Sequence, residues 1–390
     1  MLDRARELDA ADAIAHFRER FDLPEGVIYL DGNSLGPLPK ATRERLHRVI
    51  DGEWGEGLIR SWNDADWIGM PQRVGAKIAP LIGAQPHEVI ACDSVSVNLA
   101  KLIGAALSLN PGRKVVLSEP GNFPTDLYMI QGHGAVEQRL ANRDAMVDAL
   151  DGDVALLLLT HVHYKTGEMF DMASLSRAAH DAGALVLWDL SHSGGAVPVD
   201  LNGAGADLAV GCGYKYLNGC PGAPAYAFVA ERHHGHFSQP LTGWMGHAQP
   251  FAFSDDYEPA HGVKRLLAGT PPVLAMAALE CGVELIAEIG MEALVAKSRA
   301  LSAFFLECVA DLDLDLVSPR DPAARGSQLS FRHENAYALS QALIARGVIG
   351  DFRAPDILRL GFAPAYLRFE DIAEAARHLA EVLDTGEWQE

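Results

Sequence analysis

Leu185-Val186-Leu187-Trp188-Asp189-Leu190-Ser191-His192 runs four bulky apolar residues into an acid and then into a short polar stretch. Leu208-Ala209-Val210-Gly211-Cys212-Gly213-Tyr214-Lys215 repeats the arrangement, with the apolar run ending in a glycine-containing loop that carries a lysine. Apolar residues that continue without alternating with polar ones are buried on both faces of a sheet, as in parallel sheets covered by helices. Similar runs lie at Val115–Leu117, Val154–Leu159 and Tyr226–Val229, and helical spacing over Asn98–Leu107, Arg143–Leu150 and Ser174–Ala182 separates several of them. Strand, loop and helix in this alternation predict an α/β fold with a large, mainly parallel sheet and helices on both faces.

Upstream, helical spacing covers Ala10–Phe21, Ala41–Trp54 and Gln72–Leu81. Between them, Val27-Ile28-Tyr29-Leu30 reads as a strand leading into the turn-rich Asp31-Gly32-Asn33-Ser34-Leu35-Gly36-Pro37. Past Pro271-Pro272 the character changes. Helices are predicted over Val273–Ile289, Met291–Val309, Tyr337–Arg346 and Phe369–Leu383, with strands at Leu314–Val317, Gln328–Phe331 and Ile357–Leu360. The 390 residues are enough for one large core and a smaller one. The expected division is an N-terminal helix and loop segment (1–40), a large α/β domain (41–272) and a small α+β C-terminal domain (273–390).

The formal net charge of -20 disfavours phosphate backbones and anionic headgroups, so neither nucleic acid nor membrane is an expected partner. No apolar run approaches the length of a membrane span, and the charged opening Met1-Leu2-Asp3-Arg4-Ala5-Arg6-Glu7 has no signal-like apolar core. The five cysteines are scattered, odd in number and never in a C-x-x-C pair, which argues against a disulfide framework or zinc knuckle. A cytoplasmic location is expected.

Parallel sheets bind ligands beyond the carboxyl ends of their strands. Asp189 sits at such an end, where an ionised carboxylate needs a cationic partner; a structural acid capping the next turn fits equally. Lys215 sits at the next such end, flanked by aromatic and small residues. Partial desolvation there favours the neutral amine that attacks an aldehyde; alone, a surface lysine in a glycine-rich loop is the better fit. Taken together they suit a pyridoxal phosphate ring, its nitrogen protonated against Asp189 and its aldehyde carbon bonded to Lys215. Cys92-Asp93-Ser94-Val95-Ser96-Val97-Asn98 opens a helix whose free N–H groups and hydroxyls suit a dianionic phosphate, with Ser94 or Ser96 also able to cap the helix. Tyr214 offers a phenol to the same phosphate, and Phe123 a face for the ring.

These residues stand in motifs resembling the kynureninases, pyridoxal-phosphate hydrolases of fold type I. The resemblance runs from Tyr29 to about Leu383. It is carried by Leu30-Asp31-Gly32-Asn33-Ser34-Leu35-Gly36, Phe123-Pro124-Thr125-Asp126, Tyr164-Lys165-Thr166-Gly167, Trp188-Asp189-Leu190-Ser191-His192, Tyr214-Lys215-Tyr216-Leu217-Asn218 and Gly243-Trp244-Met245-Gly246-His247. Asp-x-x-His followed by Tyr-Lys is common to the wider class-V aminotransferase-like group; the last two motifs are narrower. The resemblance implies the fold-type-I transferase architecture, a homodimer with shared active sites, and hydrolysis of L-kynurenine, or its 3-hydroxy form, to anthranilate and L-alanine. The reaction would belong to tryptophan degradation by the kynurenine pathway, which leads towards NAD biosynthesis.

The resemblance also implies roles. Lys215 would be the Schiff-base lysine and would move the Cα proton, Asp189 the pyridinium partner, and His192 a neighbour of the cofactor. Phe123 would stack on the ring; Val95, Ser96 and Tyr214 would hold the phosphate; Asp126 and Thr166 would be further contacts near the ring. Tyr214 is also the candidate for protonating Cβ. Trp244 and Thr270 would reach across a dimer interface to the partner's cofactor phosphate. Arg359 would clamp the substrate α-carboxylate in a bidentate pair that lysine could not reproduce. Asn33, Ser34 and Trp62 would face the substrate's aromatic side. The sequence departs from some relatives in the Ser94-Val95-Ser96 loop and at Thr270, an asparagine elsewhere, leaving open which hydroxyl binds phosphate.

Other readings remain. A cysteine desulfurase or aminotransferase shares Asp189, His192 and Lys215, but a desulfurase needs a mobile nucleophilic cysteine, and neither Cys212 nor Cys220 stands out as one. A metal-dependent hydrolase would draw on His161 and His163 or on His233-His234-Gly235-His236, yet no H-E-x-x-H or cysteine set joins them. Gly211-Cys212-Gly213 lacks the third glycine and acidic residue of a dinucleotide site.

Overall fold

The computed structural model describes residues 1–134 and 136–389. Helix α1 (Leu2–Ala11) is followed by the short strands β1 (Phe21–Asp22), β2 (Ile28–Tyr29) and β3 (Leu38–Pro39), then by α2 (Lys40–His47), the single turn α3 (Ser61–Asp64) and α4 (Met70–Ile78). The central part runs β4 (Val89–Ala91), α5 (Val95–Leu109), β5 (Val115–Ser118), α6 (Pro124–Gly132), β6 (Glu137–Leu140), β7 (Val154–Thr160), α7 (Met172–Asp181), β8 (Leu185–Asp189), β9 (Leu208–Gly211) and β10 (Tyr226–Val229). The last part runs α8 (Val273–Ile289), α9 (Met291–Cys308), β11 (Asp315–Leu316), β12 (Gln328–Arg332), α10 (Ala336–Ala345), β13 (Val348–Ile349), β14 (Asp351–Arg353), β15 (Ile357–Gly361) and α11 (Phe369–Thr385).

Seven strands form one sheet in the order β4-β10-β9-β8-β7-β5-β6. Strands β6, β5, β7, β8 and β9 are mutually parallel, and β10 runs antiparallel to both its neighbours. All seven residues of β7 are buried. Leu157 and Leu159 enter one apolar core with Val186, Trp188 and Ala209, while Leu156 and Leu158 enter the other with Leu187 and Val210. This is why the strands read as unbroken apolar runs: each face has its own core, and burying each leucine contributes about 1.5–3 kcal/mol. Helix α5 supplies Leu99, Leu102 and Ile103 to one core and α7 supplies Met172, Leu175 and Ala179 to the other, so helices cover both faces. The register pairs Thr160 with Asp189 and Asp189 with Val210, aligning the carboxyl ends of β7, β8 and β9.

The C-terminal sheet is antiparallel, in the order β11-β12-β15-β14. The N-terminal segment is built into this part: β13 pairs in parallel with β2, and α1 packs on α11. Helix α8 packs on α2 and α4, joining it to the large sheet's side of the molecule.

Several sequence expectations need correction. The first helix ends at Ala11, and within Ala10–Phe21 only a 3-10 segment, Ala15–Arg20, remains. The α-helix expected to Trp54 stops at His47 and widens into π-helical turns over Arg48–Gly57. Arg143–Leu150 is not a helix beyond one 3-10 turn, Arg143–Ala145. Helix α6 and strands β4, β6, β13 and β14 were absent from the pattern. Edge strand β6, Glu137-Gln138-Arg139-Leu140, is half exposed and carries no apolar run to betray it.

Candidate active site

Three strand ends converge on one cavity of about 530 Å³, lined among others by Ser94, Val95, Ser96, Phe123, Thr160, Tyr164, Asp189, His192, Tyr214 and Lys215. Asp189 closes β8 and is 2% exposed; its Oδ1 accepts a hydrogen bond from Ser191 N at 2.7 Å. Burial pushes its pKa up, against hydrogen bonds from Ser191 and the pull of Lys215. Lys215 is half-buried, with Nζ 2.9 Å from His192 Nε2. Burial and the Lys215 charge lower the proton affinity of His192 far below that of an ordinary imidazole, so His192 is neutral and accepts from the amine. The Lys215 loop is fixed from outside: Gly36 N donates to Tyr214 O at 2.8 Å, and a Cβ on Gly36 would collide with Lys215 O.

Behind Asp189 lies Asp126, fully buried on the first turn of α6. Burial and the Asp189 charge push its pKa well above the usual carboxylate range. Thr160 Oγ1 lies 2.6 Å from Asn122 Oδ1 and 3.0 Å from Asp126 Oδ2. One hydroxyl proton cannot serve both acceptors, so a neutral Asp126 donating to Thr160 satisfies the trio.

At the other end of the cavity α5 begins. Ser94 caps it, its Oγ accepting from Val97 N at 3.4 Å, and Ser96 Oγ lies 3.4 Å from Thr125 Oγ1. The first-turn N–H groups of Val95 and Ser96 have no acceptor within the helix. Phe123 is partly exposed, stands edge-on to Tyr164 at 5.2 Å and 88°, and has its ring centroid 5.9 Å from Lys215 Nζ. Tyr214 lies at the same distance. These groups fit pyridoxal phosphate: a buried acid for the ring nitrogen, an amine for the aldehyde, an open aromatic face, and a hydroxyl-rich helix start for the phosphate.

Arg359, on β15, is 1% exposed. It donates from Nη1 to Tyr164 O at 2.7 Å, from Nε to Asp351 Oδ1 at 2.9 Å and from Nη2 to Ser34 Oγ at 2.8 Å, and pairs with Asp351 Oδ2. Asn33 stands beside the guanidinium, and with its amide turned its oxygen comes within 3.0 Å of Nε and 3.2 Å of Nη2. Asp351 is shared with Arg353, which also reaches Ser34 Oγ at 3.2 Å. Asp31 lies 3.9 Å from Arg359 Nη2 and is raised to about 7 by burial and by Asp351. Tyr164 links the two regions, its ring lining the cavity and its carbonyl holding Arg359.

Of the sequence candidates, the cavity gathers Val95, Ser96, Phe123, Asp189, His192, Tyr214 and Lys215, with Asp126 buried behind them; Arg359, Asn33 and Ser34 form the adjoining cluster. Thr166 is instead bound to the His163 turn, 3.3 Å from Nδ1. Trp62 packs edge-on against Trp67 at 6.2 Å. Trp244 lies against Phe251 in a separate surface hollow, and Thr270 is exposed. Neither Trp62, Trp244 nor Thr270 lines the cavity of its own chain. The sequence reading overlooked Thr160, Asp351 and Arg353; the alternating charges in Asp351-Phe352-Arg353, beside an apolar strand, were the available signal. Within the histidine clusters, His163 Nε2 meets Gly121 O at 3.0 Å, His233 Nε2 meets Asp207 Oδ1 at 2.7 Å and His234 Nε2 meets Val229 O at 2.8 Å, so these three rings are engaged elsewhere.

The fold has counterparts among solved structures. The apo cysteine desulfurase from Thermococcus onnurineus NA1 superposes with a TM-score of 0.83 at 19% identity, covering 95% of this chain and 98% of that one. A C-DES mutant with glycine covalently linked to its pyridoxal phosphate cofactor gives 0.81 at 17% identity, covering 93% and 98%. Fold and site together define the class, a pyridoxal-phosphate-dependent enzyme of fold type I. A family model described as the kynureninase C-terminal domain matches residues 294–379. Kynureninase of Burkholderia mallei (strain SAVP1) is 51% identical over 99% of this chain and 96% of its own length, and that of Pseudomonas fluorescens is 48% identical over 98% and 95%. The chain belongs to the kynureninase family.

Proposed function

We propose that this protein hydrolyses the Cβ–Cγ bond of L-kynurenine, or of its 3-hydroxy form, to anthranilate and L-alanine, with pyridoxal 5′-phosphate attached at Lys215. The observation that carries the site assignment is the placing of the Lys215 amine, neutral His192 and buried Asp189 around one cavity. Near-full-length kinship to kynureninases supports the choice of reaction.

The bound cofactor supplies an electron sink for the carbanion left when the C–C bond breaks. The chain does the rest. Asp189 keeps a proton on the ring nitrogen, with neutral Asp126 behind it so that two carboxylates need not be charged side by side. Ser96, Thr125 and the first turn of α5 hold the phosphate. Lys215 moves the proton at Cα, its amine kept in place by His192. Burial pushes the Tyr214 phenol well above its ordinary pKa, so it stays protonated and can deliver a proton to Cβ. Arg359 orients the substrate carboxylate once Asp351 gives up its side of the guanidinium, and so selects which Cα bond is aligned for cleavage.

The reading extends to a cytoplasmic homodimer in which Trp244 and Thr270 complete the partner's site. Its support is that Trp244, Phe251 and Phe253 are exposed and packed edge-on against one another as one apolar patch. No helix among the described residues is long and apolar enough to cross a membrane. The rival desulfurase chemistry is poorly served: Cys212 is buried, and burial pushes its thiol up, away from the nucleophilic thiolate. The test is pure protein with pyridoxal phosphate and L-kynurenine. A yellow protein that generates anthranilate fluorescence supports the reading; release of sulfide from cysteine, or of a keto acid, without anthranilate overturns it.

A further inference from the structure

Lys101, on α5, is fully buried, unusual for a lysine. Its Nζ pairs with Asp93 Oδ2 and donates to Leu266 O at 2.5 Å. Asp93 is the residue before the Ser94 cap, and it lines the cofactor cavity. It adopts φ +47°, a left-handed conformation uncommon outside glycine, and its carbonyl accepts from Ala225 N at 2.8 Å. The phosphate cradle therefore carries a carboxylate at its rim. Lys215 is the only lysine or arginine lining the cavity among the described residues, and it stands at the aldehyde end. An uncompensated Asp93 would repel a dianion bound at the start of α5, and in a partly desolvated cavity that repulsion is not screened away. An apolar residue at 101 would fill the space at lower desolvation cost than a buried ammonium.

We propose that Lys101 is a positioning residue for the phosphate end of the cofactor. It neutralises Asp93, holds the Asp93–Ser94 corner so that the first turn of α5 faces the cavity, and ties that corner through Leu266 to the segment leading to Thr270. The inference rests on the pyridoxal phosphate reading above.

The test titrates apoprotein with pyridoxal 5′-phosphate and with pyridoxal, which lacks the phosphate, following the yellow absorbance of the complex and the thermal midpoint of each apoprotein. Lys101→Met is expected to weaken pyridoxal phosphate by about tenfold or more, and pyridoxal by less than about twofold, because only the phosphate meets the exposed carboxylate. Asp93→Asn added to Lys101→Met is expected to restore most of the loss. Should Lys101→Met fail to fold, Lys101→Gln, which keeps a donor for Asp93 and Leu266 but no charge, carries the same expectation. Equal weakening of both ligands, an unchanged ratio, or a loss that persists in the double variant overturns the proposal and leaves Lys101 a structural ion pair. If the wild-type apoprotein does not take up pyridoxal phosphate at all, the cofactor reading falls and this inference with it; if it does, failure in the variants counts against Lys101 alone.

Discussion

An amine 2.9 Å from a buried, neutral imidazole is held in place without being locked into a salt bridge. Lys215→Ala should therefore lose the yellow absorbance band and nearly all turnover; retention of turnover would contradict the assigned role. Asp189→Ala should cost far more than about tenfold in kcat, the equivalent of about 1.4 kcal/mol, because among the described residues no other carboxylate faces the ring position without being neutral. A smaller loss would remove Asp189 from the ring nitrogen. The Arg359 cluster makes a prediction about pH. Asp31, raised to about 7, faces Asp351, Arg353, Arg359 and Ser34. A substrate carboxylate at Arg359 adds negative charge and lifts Asp31 further, so above pH 7 binding must take up a proton. KM should then rise with pH by up to about tenfold per unit, and Asp31→Asn should flatten the profile. A wild-type KM that stays level from pH 6 to 9 would rule this linkage out.

Elements set the distances that residues exploit. The pairing of Thr160 with Asp189 and of Asp189 with Val210 brings three loops to one edge, and this follows from the buried strands being in register. Those strands were the most readable part of the sequence, since burial on both faces leaves an unbroken apolar run. Helix α6 was missed because its first turn is spent on Pro124, Thr125 and Asp126, which serve the site and give no amphipathic stripe. Helix α7 offers a check on element energetics away from the chemistry. Asp171 caps it, accepting from Ser174 N at 3.0 Å and from Ser174 Oγ at 2.7 Å. Asp171→Ala should lower unfolding stability by about 1 kcal/mol in a denaturant titration while leaving kcat and KM in place. Loss of activity in the folded variant would mean that α7 couples to the site in a way its position does not suggest.

For the molecule as a whole, the C-terminal part brings Arg359 against Tyr164 and Ser34, 195 and 325 residues away in the chain, so the substrate end is assembled from remote segments. The proposed dimer adds a second assembly. If Trp244 and Thr270 serve the partner's cofactor, a Lys215→Ala chain refolded together with a Trp244→Ala/Thr270→Ala chain should recover activity that neither has alone, because one site per mixed dimer is then intact. Mixtures no more active than their separate components would place those residues in their own chain's service. Local sequence was sufficient for the α/β class, the strands that bear Asp189 and Lys215, the helix start for the phosphate, and the motifs of the family, because hydrophobic period and short-range spacing are properties of neighbouring residues. The engagement of Arg359 by Asp351, the neutral Asp126 behind Asp189, the pairing of His192 with Lys215 and the burial of Lys101 against Asp93 came only with the folded chain. Each depends on how far a charge lies from water and from other charges, and those distances do not exist until remote segments have packed.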